Sequence, residues 1–247
     1  VTKCMSAADA ARGAEAVITM LPDGKAVRAA LLGPEGAASV MQRGDIVIDM
    51  TSSSPSDTRD LGVALTARGI ELIDAPVSGG VRSAKVAELA VMVGGNAAQL
   101  ARTRELLSAM ASNIFHVGAL GTGHAMKALN NYVSAAALIS TCEALVIGRA
   151  VGLDPAIMVD VMNASTGRNS ATVDKAKQYI LSGTYKSGGA LSMLAKDVRF
   201  ALEMGQHAGV AAELVEDIAS LLTRAESRLG AQADHTEIFR IVDGPRG

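Results

Sequence analysis

The chain changes texture once, near residue 120, and that change restricts its possible folds more than any motif does. Before it, short apolar runs stop at turn residues: Val17 to Leu21 before Pro22, Asp45 to Met50 after Gly44, and Ile70 to Val77 after Gly69. Leu89 to Val93 before Gly94-Gly95 and Ile114 to Val117 before Gly118 complete the set. Runs of this length between Gly and Pro read as buried strands. Helical spacing covers 24–32, 56–68 and 97–110 between them. Strand alternating with helix predicts a parallel sheet covered on both faces. From residue 121 onward the strand signal is gone. Helical periodicity runs through 122–151, 154–164, 170–182, 190–208, 212–229 and 234–242, with Gly152, Pro155, Gly167, Gly183 and Gly209 as punctuation. The expected architecture is an α/β domain at 1–119, then an all-α domain at 120–247, linked by a long helix. Gly118-Ala-Leu-Gly-Thr-Gly123 reads as the hinge, and the Ala-rich start, Val1 to Ala16, reads as a helix.

Composition narrows the function classes. A net charge of −2 gives no basic surplus, so nucleic acid is not an expected partner. Aromatics are 2% with no Trp, which argues against stacking platforms for bases or sugars. Hydrophobic residues at 49% against 19% charged exclude a disordered chain. Cys4 and Cys142 are too few for a disulfide framework or a zinc cluster and fit a reducing cytoplasm. No signal peptide is expected. The longest apolar stretch, Ala125 to Ala150, contains Lys127, Asn130, Asn131 and Glu143, so it reads as a buried helix rather than a membrane span.

Lys127 carries most of the chemical information. Between Gly121 and Gly148 the formal charges are Lys127 and Glu143 alone, and a solvated helix would carry more. The helix is therefore expected to be buried along most of its length. Lys127 and Asn131 share a face, and Gly123 one turn earlier leaves room for a ligand. Burial lowers a Lys pKa toward neutrality, where the amine exchanges protons; a Lys snorkelling to water is the alternative. Asp74-Ala-Pro-Val-Ser-Gly-Gly80 lies at the C-terminal end of a predicted parallel strand, where open α/β sheets bind ligands. Ser78 offers a hydroxyl, and Gly79-Gly80 let backbone N–H groups approach an anion; an ordinary strand-to-helix turn is the alternative. Asp49 to Pro55 holds four hydroxyl residues at another strand end. Ser54-Pro55 suits a helix start, which explains one hydroxyl. Lys196-Asp197 interrupts an apolar helix, either at a site or on a solvated face. Met20-Leu-Pro-Asp23 ends a strand at Pro22 and offers Asp23 as a helix cap.

Taken together, D-A-P-V-S-G-G at 74–80, M-V-G-G at 92–95, G-x-x-G-x-G-x-x-x-K-x-x-x-N from Gly118 to Asn131 and K-D at 196–197 resemble the β-hydroxyacid dehydrogenase family. Its members include 3-hydroxyisobutyrate dehydrogenase and tartronate semialdehyde reductase. The resemblance covers essentially the whole chain. It implies a Rossmann-type domain followed by an all-α domain, NAD or NADP as cofactor, a small carboxylate substrate, and a homodimer or homotetramer. It implies Lys127 as the catalytic Lys that protonates the carbonyl oxygen, and Asn131 as the residue that orients substrate. Ser78, Gly79 and Gly80 match the loop that holds the substrate carboxylate. Leu21, Pro22 and Ser52 match residues bordering the cofactor, with Ser52 where the family usually has Thr. Lys196 matches a Lys near the nicotinamide, and Asp197 lies beside the substrate.

One departure stands out. The family opens with a strand and a G-x-G-x-x-G turn that seats a pyrophosphate on a helix N-terminus. No such motif follows a strand near residue 1. The expectation is that a further βαβ unit precedes residue 1 in the natural protein, with a natural truncation as the alternative. The residue choosing NAD or NADP would lie in that segment. Two other functions remain open on sequence: an imine reductase, whose relatives tend to replace Lys127, and a non-catalytic scaffold of the same fold.

Overall fold

A computed structural model of the chain describes residues 2–244. It divides into two compact units, one running through Lys127 and the other starting at Ala128, so the division falls inside a long helix.

The first unit is built on β1 (Ala16–Thr19), β2 (Ile46–Asp49), β3 (Glu71–Asp74), β4 (Val77–Ser78), β5 (Leu89–Gly94) and β6 (Ala111–Gly118). Its helices include α1 (Ala7–Ala11), α2 (Gly24–Leu32), α3 (Pro55–Thr66), α4 (Gly80–Lys85) and α5 (Ala97–Ser108). Strands β1, β2 and β3 are parallel and in register, Thr19 beside Asp49 and Asp49 beside Asp74. Successive side chains on a strand point to opposite faces. Ile46, Ile48 and Ile73 accordingly enter one apolar layer with Leu100 and Leu107 of α5. Val47 and Leu72 enter the other, with Val27 and Leu31 of α2 and Leu61 and Leu65 of α3. Each fully buried Ile or Leu contributes roughly 1.5–3 kcal/mol.

The sheet is mixed rather than wholly parallel. The run Ile70 to Val77, expected as one strand, breaks at Ala75-Pro76, because Pro76 has no N–H for a ladder. The chain turns there, β4 pairs antiparallel with β5, and β5 meets β3 antiparallel at Asp74–Gly94. Strand β6 then runs parallel to β5. The opening helix is shorter than expected: α1 has one turn and a half, begun by Ser6 accepting from the Asp9 N–H at 3.1 Å and followed by Gly13 at φ +74°. Val1 lies outside the described residues.

Helix α6 (Thr122–Ala150) carries the chain into the second unit. There follow α7 (Pro155–Asn163), α8 (Ser170–Asp174), a π-helical turn (Ala176–Leu181), α9 (Leu191–His207), α10 (Glu213–Leu229) and α11 (Ile238–Asp243). The core of this unit joins Ala135, Leu138 and Cys142 of α6 to Leu191 and Val198 of α9, Ile218 and Leu222 of α10 and Ile238 of α11. Small Ala residues between them let the helices approach closely. Helix α6 is not buried along most of its length. Leu129, Val133 and Ile147 are exposed on one side of it. The low charge density reflects an open apolar face, not full burial. Cys4 and Cys142 are both free thiols, and burial pushes the Cys142 thiol up to about 12.

Candidate active site

The C-terminal ends of β1, β2 and β3 lie side by side, and the chain leaves each through the segments singled out above. From β1 it passes Leu21 and Pro22, and Asp23 then caps α2 by accepting the Ala26 N–H at 2.8 Å. From β2 it enters Met50 to Ser54. The Leu21 N–H donates to Thr51 Oγ1 at 3.0 Å, tying the two exits together. Asp49, buried below, accepts from Thr19 Oγ1 at 2.8 Å and from the Thr51 N–H at 3.1 Å. Pro22 is exposed and Ser52 half-buried, so both present to the solvent edge. Ser54 stands at the start of α3 ahead of Pro55, but its hydroxyl pairs with Ser56 rather than capping the helix.

Strand β3 leads to Ser78, half-buried on β4 beside Ala90, and then to exposed Gly79 and Gly80. Both glycines have positive φ, +123° and +63°. An L side chain is strained in that region, so only glycine leaves this turn's backbone bare.

The decisive contact comes from Asp74, four residues before Ser78 and fully buried. Its carboxylate accepts the Gly121 N–H at 2.7 Å through Oδ1 and the His124 N–H at 2.8 Å through Oδ2. Those groups belong to the first turn of α6, which has no intrahelical acceptor for them. A negative charge there also complements the helix dipole. A Cβ on Gly123 would lie 2.8 Å from Asp74 Oδ2 and 2.9 Å from its carbonyl, and one on Gly94 would lie 2.8 Å from the Gly123 N. The glycines of M-V-G-G and G-x-G therefore permit the approach. His124 is buried beside them: its Nδ1 lies 2.7 Å from Thr58 Oγ1 and 3.8 Å from Asp74 Oδ2, and its Nε2 lies 3.9 Å from Asp49 Oδ2. Segment 118–123, expected as a hinge, is fastened by this carboxylate. Lys127 follows one turn after Gly123, half-buried, on a helix start locked to the strand that delivers Ser78.

In the second unit the Asn131 side chain donates to Asp197 Oδ2 at 2.6 Å. Asp197 is buried, so the K-D pair is no solvated face, while Lys196 beside it is half-buried. A hollow of about 970 Å³ in the first unit is lined by Arg43, Gly62, Glu71, Arg102 and His116 among others and includes none of the strand-end residues named above. Asp74, His124 and Thr51 were missed as functional residues by sequence reasoning. Asp74 lay in view as the first letter of its motif, but its partners are 47 and 50 residues away.

Residues 1–118 match the family model described as the NAD binding domain of 6-phosphogluconate dehydrogenase. Residues 121–242 match that described as NAD-binding of NADP-dependent 3-hydroxyisobutyrate dehydrogenase. A 3-hydroxyisobutyrate dehydrogenase of Pseudomonas aeruginosa is 36% identical over 93% of this chain and 77% of its own. The chain belongs to the β-hydroxyacid dehydrogenase family. A second relative of this dehydrogenase, 2-(hydroxymethyl)glutarate dehydrogenase of Eubacterium barkeri, is 35% identical over 84% of this chain and 69% of its own. Among solved structures, 3-hydroxyisobutyrate dehydrogenase of Mycobacterium tuberculosis with L-serine superposes with a TM-score of 0.89 at 30% identity, covering 98% of this chain and 84% of that one. The chain is thus an oxidoreductase of hydroxy acids that uses NAD or NADP. The bond from Leu21 N–H to Thr51 Oγ1 ties the exits of β1 and β2 together, so Leu21, Pro22 and Ser52 lie at neighbouring strand ends, beside the strand leading to Ser78.

Proposed function

We propose that this dehydrogenase moves a hydride reversibly between NAD(P) and a small β-hydroxy acid or its semialdehyde, with Lys127 as general acid/base. The observation that carries the reading is the Asp74 clamp, which seats the Lys127 helix on the strand end leading to Ser78. Bound NAD(P) supplies or accepts the hydride. Negative charge grows on the carbonyl oxygen during reduction; Lys127 Nζ stabilises it and gives it a proton. In oxidation the same amine takes the hydroxyl proton. Ser78, with the bare backbone of Gly79 and Gly80, holds the substrate carboxylate. Asn131 orients the reacting hydroxyl, and Asp197 is the positioning residue that fixes its amide. By the family resemblance, Leu21, Pro22 and Ser52 border the cofactor, and Lys196 serves its nicotinamide end. Names of relatives point to one substrate pattern: 3-hydroxyisobutyrate and 2-(hydroxymethyl)glutarate are both 3-hydroxypropanoates with a substituent on carbon 2. We take that pattern as the substrate class.

The test is Lys127→Ala in the intact protein. General acid/base catalysis contributes about 10²–10⁴-fold. We expect kcat to fall by that factor while the melting temperature holds within a few degrees; near-native turnover would remove Lys127 from the mechanism.

The proposal extends to assembly as a homodimer or homotetramer in the cytoplasm. Its support is the apolar stripe Leu129, Val133 and Ile147 on α6, together with exposed Ile157 and Val161 of α7. Exposed large apolar side chains on these two helices are the kind of surface that a second copy can cover.

A further inference from the structure

Lys175 is charged, mostly buried and unused by the reaction proposed above. It stands where α8 gives way to the π-helical turn, and its carbonyl accepts both the Tyr179 N–H at 2.9 Å and the Ile180 N–H at 3.3 Å. Single π turns recur at functional sites because the extra residue rotates a side chain out of helical register. Lys175 Nζ reaches Ser134 Oγ on α6 at 3.5 Å. Asn169, at the other end of α8, reaches Thr141 Oγ1 of α6 at 3.4 Å. These two contacts lay α8 antiparallel along α6 and bring Lys175 toward Asn131. Ser134 is three residues beyond Asn131 and seven beyond Lys127, two helical turns or about 10 Å along the axis.

The surroundings leave the ammonium under-used. It has three hydrogens to donate, and Ser134 takes one at long range. Among the described residues, no carboxylate comes within ion-pairing distance of it. Asp174 and Asp234 act on it through space only, and burial holds its pKa below the ordinary lysine range. Asp234 is committed elsewhere. It accepts from Thr236 N at 2.9 Å, Thr236 Oγ1 at 2.5 Å, Ser187 Oγ at 2.8 Å and Gly188 N at 2.8 Å. His235, beside it, is held neutral near physiological pH by burial and by Lys175, its pKa lowered to about 4. Burial outweighs the pull of Asp174 and Asp234 on this cation, and an anionic ligand group within hydrogen-bonding reach offsets that cost.

We infer that Lys175, assisted by Ser134, binds a second carboxylate at the far end of the substrate's carbon-2 substituent, so that the preferred substrate is a diacid. This rests on the dehydrogenase reading and adds the substrate's distal group to it.

The test uses the intact enzyme with a series of 2-(hydroxymethyl)alkanoates of matched length, with and without a terminal carboxylate. Wild type is expected to show kcat/KM at least tenfold higher for the best diacid than for its matched monoacid. Lys175→Met should abolish that preference through KM of the diacid, leaving kcat and all monoacid constants within about twofold. Lys175→Arg should restore part of it. The inference is overturned if wild type turns over monoacids and diacids alike, or if Lys175→Met lowers both equally. Absence of turnover for every member of both series would overturn the dehydrogenase reading, and this inference with it.

Discussion

His235 titrates far from its usual range, and the cause is local. Burial opposes its charged form and Lys175 adds repulsion; together they outweigh Asp234 and bring its pKa to about 4. Gly189 makes the fit possible, since a Cβ there would collide with the imidazole ring. In the unfolded chain the ring takes a proton near 6.5, whereas in the fold it stays neutral down to about 4. The unfolded state therefore binds more protons between those values. Its contribution to stability is complete above pH 6.5 and is lost as pH falls toward 4, about 3 kcal/mol in total. Burial raises the Asp234 pKa, but hydrogen bonds from Thr236, Ser187 and Gly188 outweigh it and hold the carboxyl below its ordinary value. That stability is present above the usual carboxylate range and disappears at lower pH still. Urea unfolding at pH 7 and pH 5 should show wild type losing about 2 kcal/mol more than His235→Gln. Equal losses in the two proteins would mean that the ring is not kept neutral.

At the scale of elements, the junction of β3, β5 and α6 sets where Lys127 stands. The motif glycines Gly94 and Gly123 are legible in the sequence as motif letters. Their reason is not, because the Asp74 carboxylate they accommodate is 20 and 49 positions away along the chain. A methyl group on Gly123 meets backbone atoms of Asp74 and Met92, which cannot swing aside as a flexible side chain would. Overpacking of this kind costs about 1–3 kcal/mol or more. Gly123→Ala should lower the urea midpoint accordingly and should also lower kcat, because the displaced helix start carries Lys127. A drop in stability with kcat unchanged would show that the junction does not position the amine. Element types were legible for a simpler reason. Val17 to Leu21 and Asp45 to Met50 are short apolar runs next to turn residues, so the signal is local. Pro76, which breaks the run Ile70 to Val77, stands in plain view; what was hidden is that the chain beyond it pairs antiparallel with β5, a partner that lies outside the run.

For the whole molecule, each unit has a core of its own, one between sheet and helices, the other among Ala-rich helices. The exposed stripe on α6 bears on assembly. Light scattering should give a mass at least twice that of the single chain, and Val133→Lys combined with Ile147→Lys should shift it toward the monomer. A monomeric wild type would leave the stripe without its proposed cover.

Composition and periodicity by themselves determined the α/β half, the all-α half and the long helix between them. Strand and helix patterns repeat every two or every 3.6 residues, within reach of a short window. The same windows held Lys127, Asn131 and Ser78 in recognisable motifs. What holds those residues in place was decided only by the tertiary structure. The acceptor for the start of α6 is Asp74, the group fixing Asn131 is Asp197, 66 residues away, and Lys175 gains significance only beside Ser134, 41 residues away. Buried polar groups must find partners wherever the fold brings them, and no local pattern records which distant residue that will be.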